Sequence, residues 1–561
     1  MVGELRGARV LFETVRHLRP GQVWGRALVP LRAEMARAAV RAVHPDGRLG
    51  QGRGVLASDD SVPHHDPWNT AEQLLAGRFT FLNHAARLGW PPRWRTRSRD
   101  LLWHFNLHYH QYLHLLPERE RAAICRHWVE GNPVGAEVAW HPYVTSRRIV
   151  SWCRSLALDG ELALSLWKQA EYLYRTVEWH QPGNHLLENA RALVLAACTL
   201  KESPRAHAWV RRGAEILRAA LEDQVLRDGV HAERSPMYHA LVLEGLLDVE
   251  RAIEALHDTW LRELPDLQAQ VRETADSMIR YLVAATHPDG CLALLNDSTV
   301  EIAPPTEKLL RYAERLGAPL SAVTGVFQFA DAGHFGFRND RVYLLVDGGA
   351  IAPDHLPAHA HADIFTYEFD VDGRRLIVDS GVYEYAEGEM RDYVRSTRAH
   401  NTVSVDGLSQ AECWKSFRVA RRKAPRDVRF EAKENACIFA GRFDGYGRLI
   451  GDSIIHHRTL RLHHAAGELR VEDRVDGRGE HRVTSRIHLH PDVQVRQKGQ
   501  TFTLARDRVR ATVTVEGGTA ILRSGWYCPE FGMRRGNKVI RLERNGPLPA
   551  RLAYSIRYSR P

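Results

Sequence analysis

Four short clusters carry residue types able to do chemistry. The first is Gly183-Asn184-His185-Leu186-Leu187-Glu188-Asn189, ahead of a helical pattern. An amide beside an imidazole at a helix N-terminus can receive an anion on the free backbone N–H groups, and Asn184 can equally be a simple cap. The second is Glu233-Arg234-Ser235-Pro236-Met237-Tyr238-His239. Ser-Pro sets a helix start and puts Tyr238 in the first turns. There it can donate a proton, accept one if neighbouring cations lower its pKa, or be a buried aromatic with a satisfied hydroxyl. The third is His359-Ala360-His361-Ala362-Asp363. Two histidines two apart share one face of an extended segment, and the flanking alanines leave them uncovered. The fourth runs from Asp379 to Asn401, and its arginines Arg391, Arg395 and Arg398 suit carboxylate or sulfate groups, as they would suit a charged surface loop.

His361, Asp379 and His400 together offer two imidazoles and a carboxylate, a usual ligand set for zinc. Register complicates this. Asp372-Gly373 between FTYEFDV and RRLIVDS is a strong hairpin signal, and pairing about it sets Asp379 opposite Thr366. Asp379 then faces away from a regular strand continued back to His361. The site therefore requires a bulge or irregular backbone between His361 and Thr366.

The elements that must position these clusters fall into two textures. From about Leu101 to Glu314 apolar residues recur at steps of three and four, as in Leu186, Ala190, Leu193, Val194, Ala197 and Leu200, which predicts about nine consecutive helices. Such an array must close on itself as a bundle, solenoid or toroid, and its irregular spacing disfavours a regular solenoid. Beyond about Val326 the period becomes two. Short runs such as Arg341–Val346, Phe365–Val371, Val483–His488 and Leu552–Tyr558 predict an antiparallel sandwich. The expected division is a basic helical extension and linker over residues 1–60, a helical domain over 61–325 and a β-domain over 326–561.

Composition bounds the partners. With 44% hydrophobic and 26% charged residues the chain is an ordinary globular protein rather than a disordered or disulfide-stapled one. No apolar run reaches the roughly 18 residues of a membrane span, so no integral membrane segment is expected. The start shows no signal-peptide pattern, so a cytoplasmic location is expected, with the periplasm still open. Seven cysteines without a CxxC pair read as reduced thiols. A net charge of +9 favours polyanions. No nucleic-acid reader motif is visible, and acidic polysaccharide is another candidate partner.

Taken together the clusters resemble the heparinase II/III-like family of polysaccharide lyases. The resemblance rests on WHFNLHYHQYL (103–113), HPYVTSRRIVSW (141–152), NHLLENARAL (184–193), ERSPMYH (233–239), LLNDS (294–298), HAHADIFTYEFDVDGRRLIVDSGVYEY (359–385) and RSTRAHNTVSVDG (395–407). It implies an α+β multidomain fold, an incomplete (α/α) toroid followed by an antiparallel β-sandwich. It also implies β-elimination at a uronic acid in a glycosaminoglycan-like or bacterial polysaccharide. Asn184, with His185 as alternative, would neutralise the uronate carboxylate. Tyr238 would serve as base or as acid toward the leaving oxygen, and His359 would complement it on the other face of the sugar. Arg234, His239, Arg395 and Arg398 are expected to bind substrate. His361, Asp379 and His400 would hold a structural divalent metal, zinc by preference, or His400 would instead line the cleft. No organic cofactor is expected. A uronate C5-epimerase and a silent polysaccharide-binding protein are the alternatives, followed by a glycoside hydrolase using Glu188 and Glu233.

Overall fold

The computed structural model describes residues 2–42, 49, 52–95, 100–255, 265–451 and 453–559. Residues 43–48 and 50–51, within the expected extension and at its linker, lie outside the described residues.

The helical domain is built around Asn184–Thr199, which packs on Pro142–Ser155, Ala206–Gln224 and Pro236–Glu254. It is buried on nearly every face, and the run of small residues Ala190, Ala192, Ala196 and Ala197 lets its neighbours approach closely. Polar residues on this helix are absorbed by a buried ion network. Arg191 Nη2 meets Asp248 Oδ2 at 2.5 Å, and Arg154 reaches Asp248 and Glu244 at 2.7 Å each. Glu188 lies 3.1 Å from Arg191 and 3.3 Å from Arg147. Removing one partner of such a buried network leaves an uncompensated charge, so the network locks the helices that carry Asn184 and Tyr238 to each other and to Pro142–Ser155. It also engages Glu188, one of the two carboxylates a hydrolase would need.

Ser-Pro opens Pro236–Glu254 as its chemistry dictates: Pro236 stands in the first turn and the Ser235 hydroxyl accepts from the Tyr238 N–H at 3.2 Å. Among the described residues two short strand pairings depart from an all-helical domain, one of them the hairpin of Arg78–Phe81 with His84–Arg87. The two-residue strand Ala157–Leu158 pairs with Gly52–Arg53 and so stitches the N-terminal extension to the helical domain.

The last helix of the helical domain, Thr306–Arg315, is followed by strand Gly325–Phe329, and strands dominate from there on. Antiparallel sheets of five, eight and four strands follow, with a shared apolar core. Asp372 and Gly373 take φ of +47° and +71°, the left-handed pair a tight hairpin needs, with Val371 opposite Arg374. The irregular backbone that the metal site required is present. Regular pairing starts only at Tyr367, the register shifts between Phe369 and Asp370, and Phe365 sits at φ +68°. The segment carrying His359 and His361 is thus an irregular loop between strands Val342–Asp347 and Tyr367–Val371.

Candidate active site and metal cluster

A cleft of about 860 Å³ lies between the helical and sheet domains, toward the large end of the roughly 300–1,000 Å³ typical of ligand sites. Asn184, His185, Glu233 and Tyr238 line it from the helices, and His359 and Tyr385 line it from the sheet domain.

Asn184 does not cap its helix, because Gly183 holds that position. Its backbone N–H and its Nδ2 both donate to Glu233 Oε1, at 3.0 and 3.1 Å, so the amide is oriented at the positive end of the helix. A Cβ on Gly183 would stand 2.8 Å from both Glu233 Oε1 and Leu356 Cδ2. We expect Gly183→Ala to displace Glu233 and Asn184 and to lower kcat/KM by about 10²-fold, the scale of a misplacement near 1 Å. Circular dichroism of the variant should match wild type.

His185 stacks on Tyr143 with ring centroids 4.1 Å apart, and its Nδ1 meets Glu178 Oε1 at 3.0 Å. Burial opposes its charged form, but the Glu178 carboxylate outweighs burial and raises the imidazole above its ordinary pKa. Tyr238 lies with its hydroxyl 3.0 Å from that of Tyr385 and its ring centroid 4.1 Å from that of His359. Burial, helped by Tyr385, pushes the Tyr238 phenol well up, so it keeps its proton. Rings this close leave no room for a sugar between them. The expectation that His359 stands on the opposite face of the sugar from Tyr238 is therefore corrected: the two reach the cleft side by side.

His359 is held by Asp297, whose Oδ2 accepts from Nδ1 at 2.9 Å. The second nitrogen, Nε2, is left turned toward the cleft, 3.5 Å from Glu233 Oε2. Asp297 is itself gripped by both terminal nitrogens of Arg391, at 2.5 and 2.8 Å. Burial opposes its charge, but Arg391 prevails and holds the carboxyl well below the usual range. The other oxygen, Oδ1, accepts from His361 Nε2 at 2.8 Å. One carboxylate thus joins the cleft histidine to the cluster behind it.

In that cluster His361, Asp363 and His400 offer ligand atoms within 4.8 Å of one another. His361 Nδ1, both oxygens of Asp363 and His400 Nε2 are buried without a protein partner. Unpaired buried polar atoms are costly, and two imidazoles with a carboxylate form a zinc-type donor set, so these residues fit a divalent cation. Asp379 is not the converging carboxylate. Its Oδ2 accepts from His400 Nδ1 at 2.8 Å and from the Thr366 hydroxyl at 3.1 Å, which makes it the group that orients His400. The carboxylate of the cluster is Asp363, two residues after His361.

The four expected substrate-binding residues are placed elsewhere. Arg395 is buried, with its guanidinium spent on the carbonyls of Ala360, Lys415, Ser416 and Arg418. Arg234 donates to the carbonyls of Asp331 and Ala332. His239 is buried between the Met278 carbonyl and the His231 N–H. Arg398 lies over the Tyr393 ring, outside the cleft lining. Arg395, Arg234 and His239 thus tie segments of the fold together. The cationic lining comes from Arg26, Arg147, Lys415 and Arg418 instead. Glu233 stood inside a cluster that the sequence singled out, and Asp297 and Tyr385 lie within LLNDS and DSGVYEY. Nothing in spacing alone marks Arg26 or Lys415.

Comparison with known proteins follows the same two-part division. A family model of the heparinase II/III N-terminus matches residues 119–313, and one of the heparinase II/III-like C-terminal region matches residues 322–555. A heparin-sulfate lyase of Pedobacter heparinus is 26% identical over 318 residues, covering 50% of this chain and 46% of that protein. Another, from Bacteroides thetaiotaomicron, is 26% identical over 337 residues, covering 50% and 47%. The chain thus spans about half the length of the curated relatives it matches. A crystal structure of heparinase III superposes with a TM-score of 0.68 at 17% identity, over 98% of this chain and 93% of that one. At that identity the likeness shows the fold, a helical toroid-type domain followed by antiparallel sheets. With both domain models matched in order, the chain belongs to the heparinase II/III-like family.

Proposed function

We propose that the protein is a polysaccharide lyase that cleaves a uronic-acid polymer by β-elimination. The observation that carries this reading is the convergence of Asn184, Tyr238 and His359 from two domains on one cleft. The C5 proton of a uronate is weakly acidic, so charge developing on its carboxylate must be met by preorganised donors. The second Nδ2 hydrogen of Asn184, whose first is held by Glu233, would meet that carboxylate, with the His185 imidazole beside it. His359, held by Asp297 through Nδ1, presents Nε2 as the base. It takes the C5 proton, and the C5–H electron pair becomes the C4=C5 double bond. The C4–O bond breaks, and the leaving oxygen takes the proton of Tyr238.

Because His359 and Tyr238 stand side by side, the C5 hydrogen and the C4 oxygen must leave from one face of the sugar. D-Glucuronate has both on the same face, and its C5 epimer does not. His361, Asp363 and His400 would hold a divalent cation, zinc by donor set. Bound there, it supplies the positive charge that fixes the loop bearing His359.

The test is ultraviolet absorbance of the conjugated uronate during incubation with hyaluronan, chondroitin, heparan sulfate and alginate. Absorbance should rise on a glucuronate-containing polymer, with the new unsaturated ends derived from glucuronate residues. Unsaturated ends arising only from residues of the opposite C5 configuration would refute the one-face geometry.

A further inference from the structure

The N-terminal helices Val2–Val15, Pro20–Ala27 and Val29–Ala42 straddle the seam between the domains. On the helical side Arg19 pairs with Asp223 at 2.6 Å, and Arg37 donates to the Gly135 carbonyl at 2.8 Å. On the sheet side the Trp414 indole donates to Thr14 Oγ1 at 3.1 Å, and Gln22 donates to the His355 carbonyl at 3.0 Å. Thr14, Gln22, Gly25, Ala36 and Val40 are the residues this arm buries.

Its outward residues are unlike the rest of the surface. Among the described residues sixteen large hydrophobic side chains are exposed, and nine of them fall between Leu11 and Met35. Phe12, Trp24 and Met35 are 64%, 69% and 63% exposed. A concentration of this kind marks an interaction surface. The charge is as uneven. Residues 7–42 hold seven arginines against two glutamates, and both glutamates are paired to arginines of the arm, Glu13 with Arg16 at 2.9 Å and Glu34 with Arg37 at 3.1 Å.

We propose that this arm is a membrane-docking surface that lays Phe12, Trp24, Leu31 and Met35 into the interface of a bilayer rich in anionic lipid. Apolar and tryptophan side chains among arginines are the composition of a helix that lies in the headgroup plane, and an anionic surface meets the unbalanced positive charge. A second copy of the same face would bring arginine to arginine without carboxylates to offset them. No described helix is long and apolar enough to cross a membrane, so the arm would rest on the bilayer. Leu18 and Gln22 of the arm line the cleft, so docking would hold the cleft beside the lipid surface whatever reaction it performs.

The test is flotation of the full chain with phosphatidylcholine vesicles containing about 30% phosphatidylglycerol, against phosphatidylcholine alone. Wild type should float with the anionic vesicles, with about tenfold less bound to the neutral ones or at high salt. The triple variant Phe12→Ser, Trp24→Ser, Met35→Ser should lose about tenfold of that binding with an unchanged melting temperature. A second variant, Arg9→Glu with Arg32→Glu, should lose the preference for anionic lipid and covers the case in which the first misfolds. Wild type that stays unbound at low salt, or variants that float as well as wild type, would overturn the proposal. So would a dimer that the triple variant dissociates while no form floats, which would assign the face to a second copy.

Discussion

Tyr238→Phe and His359→Ala should each lower turnover by about 10²–10⁴-fold, the usual contribution of a general acid or base, and leave the fold intact. Tyr238→Phe removes one hydroxyl whose partner is the Tyr385 hydroxyl, a net loss of about 1 kcal/mol. His359→Ala leaves Asp297 still bound by Arg391 and His361 and Glu233 Oε1 still bound by Asn184, while Glu233 Oε2 loses its His359 neighbour. In a chain this long such losses move Tm by only a few degrees. Because the two groups would act in one concerted step, the double variant should be little worse than either single one. Single-turnover rates and calorimetry check both halves. Near-wild-type turnover by either variant would remove that residue from the chemistry.

The second large effect concerns the cluster behind the cleft. We expect the purified protein to carry about one equivalent of divalent metal by elemental analysis, and a chelator to lower Tm and activity together. Without a cation, His361 Nδ1, His400 Nε2 and both Asp363 oxygens are buried and unpaired, and each such group costs about 1–3 kcal/mol. Asp363→Asn and His400→Ala should lose the metal. Asp379→Asn should keep it with affinity lower by about 10–100-fold, as for a group that orients a ligand. Those two carboxylate variants separate the assignments: loss of metal in Asp379→Asn with retention in Asp363→Asn would restore Asp379 as the ligand. Since Asp297 bonds both His361 and His359, loss of the metal should also loosen the cleft histidine, seen as a fall in kcat larger than the change in KM.

Periodicity made most of the fold legible. The change of period near Val326 stands beside the first strand of the sheet domain at Gly325, and the Asp372-Gly373 turn formed where its φ preference required. The roles expected of Asn184, Tyr238 and His359 came from the family resemblance, because by residue type alone Asn184 reads equally as a helix cap and Tyr238 as a buried aromatic. The substrate-binding arginines were not legible. Arg395 and Arg234 look like ligands for anions in sequence, yet a guanidinium with five donors is as well satisfied by backbone carbonyls, and only the fold decides between them. The carboxylate that converges with His361 and His400 differs from the expected one for a related reason. Asp363 and Asp379 both lie near the two histidines, and which oxygen converges depends on the non-strand backbone at Phe365, which spacing does not encode. The cleft-facing part of the N-terminal arm escaped because an amphipathic basic helix reads alike whether it is solvated or packed on a body.

The central claim, elimination rather than epimerisation or binding alone, is tested most directly by mass spectrometry of a glucuronate polymer treated with the protein in deuterated water. The account predicts shortened chains ending in unsaturated uronate, with no deuterium in the uncleaved residues and no such products from Tyr238→Phe. Deuterium at C5 in intact chains, without a double bond, would contradict it and identify an epimerase on the same scaffold.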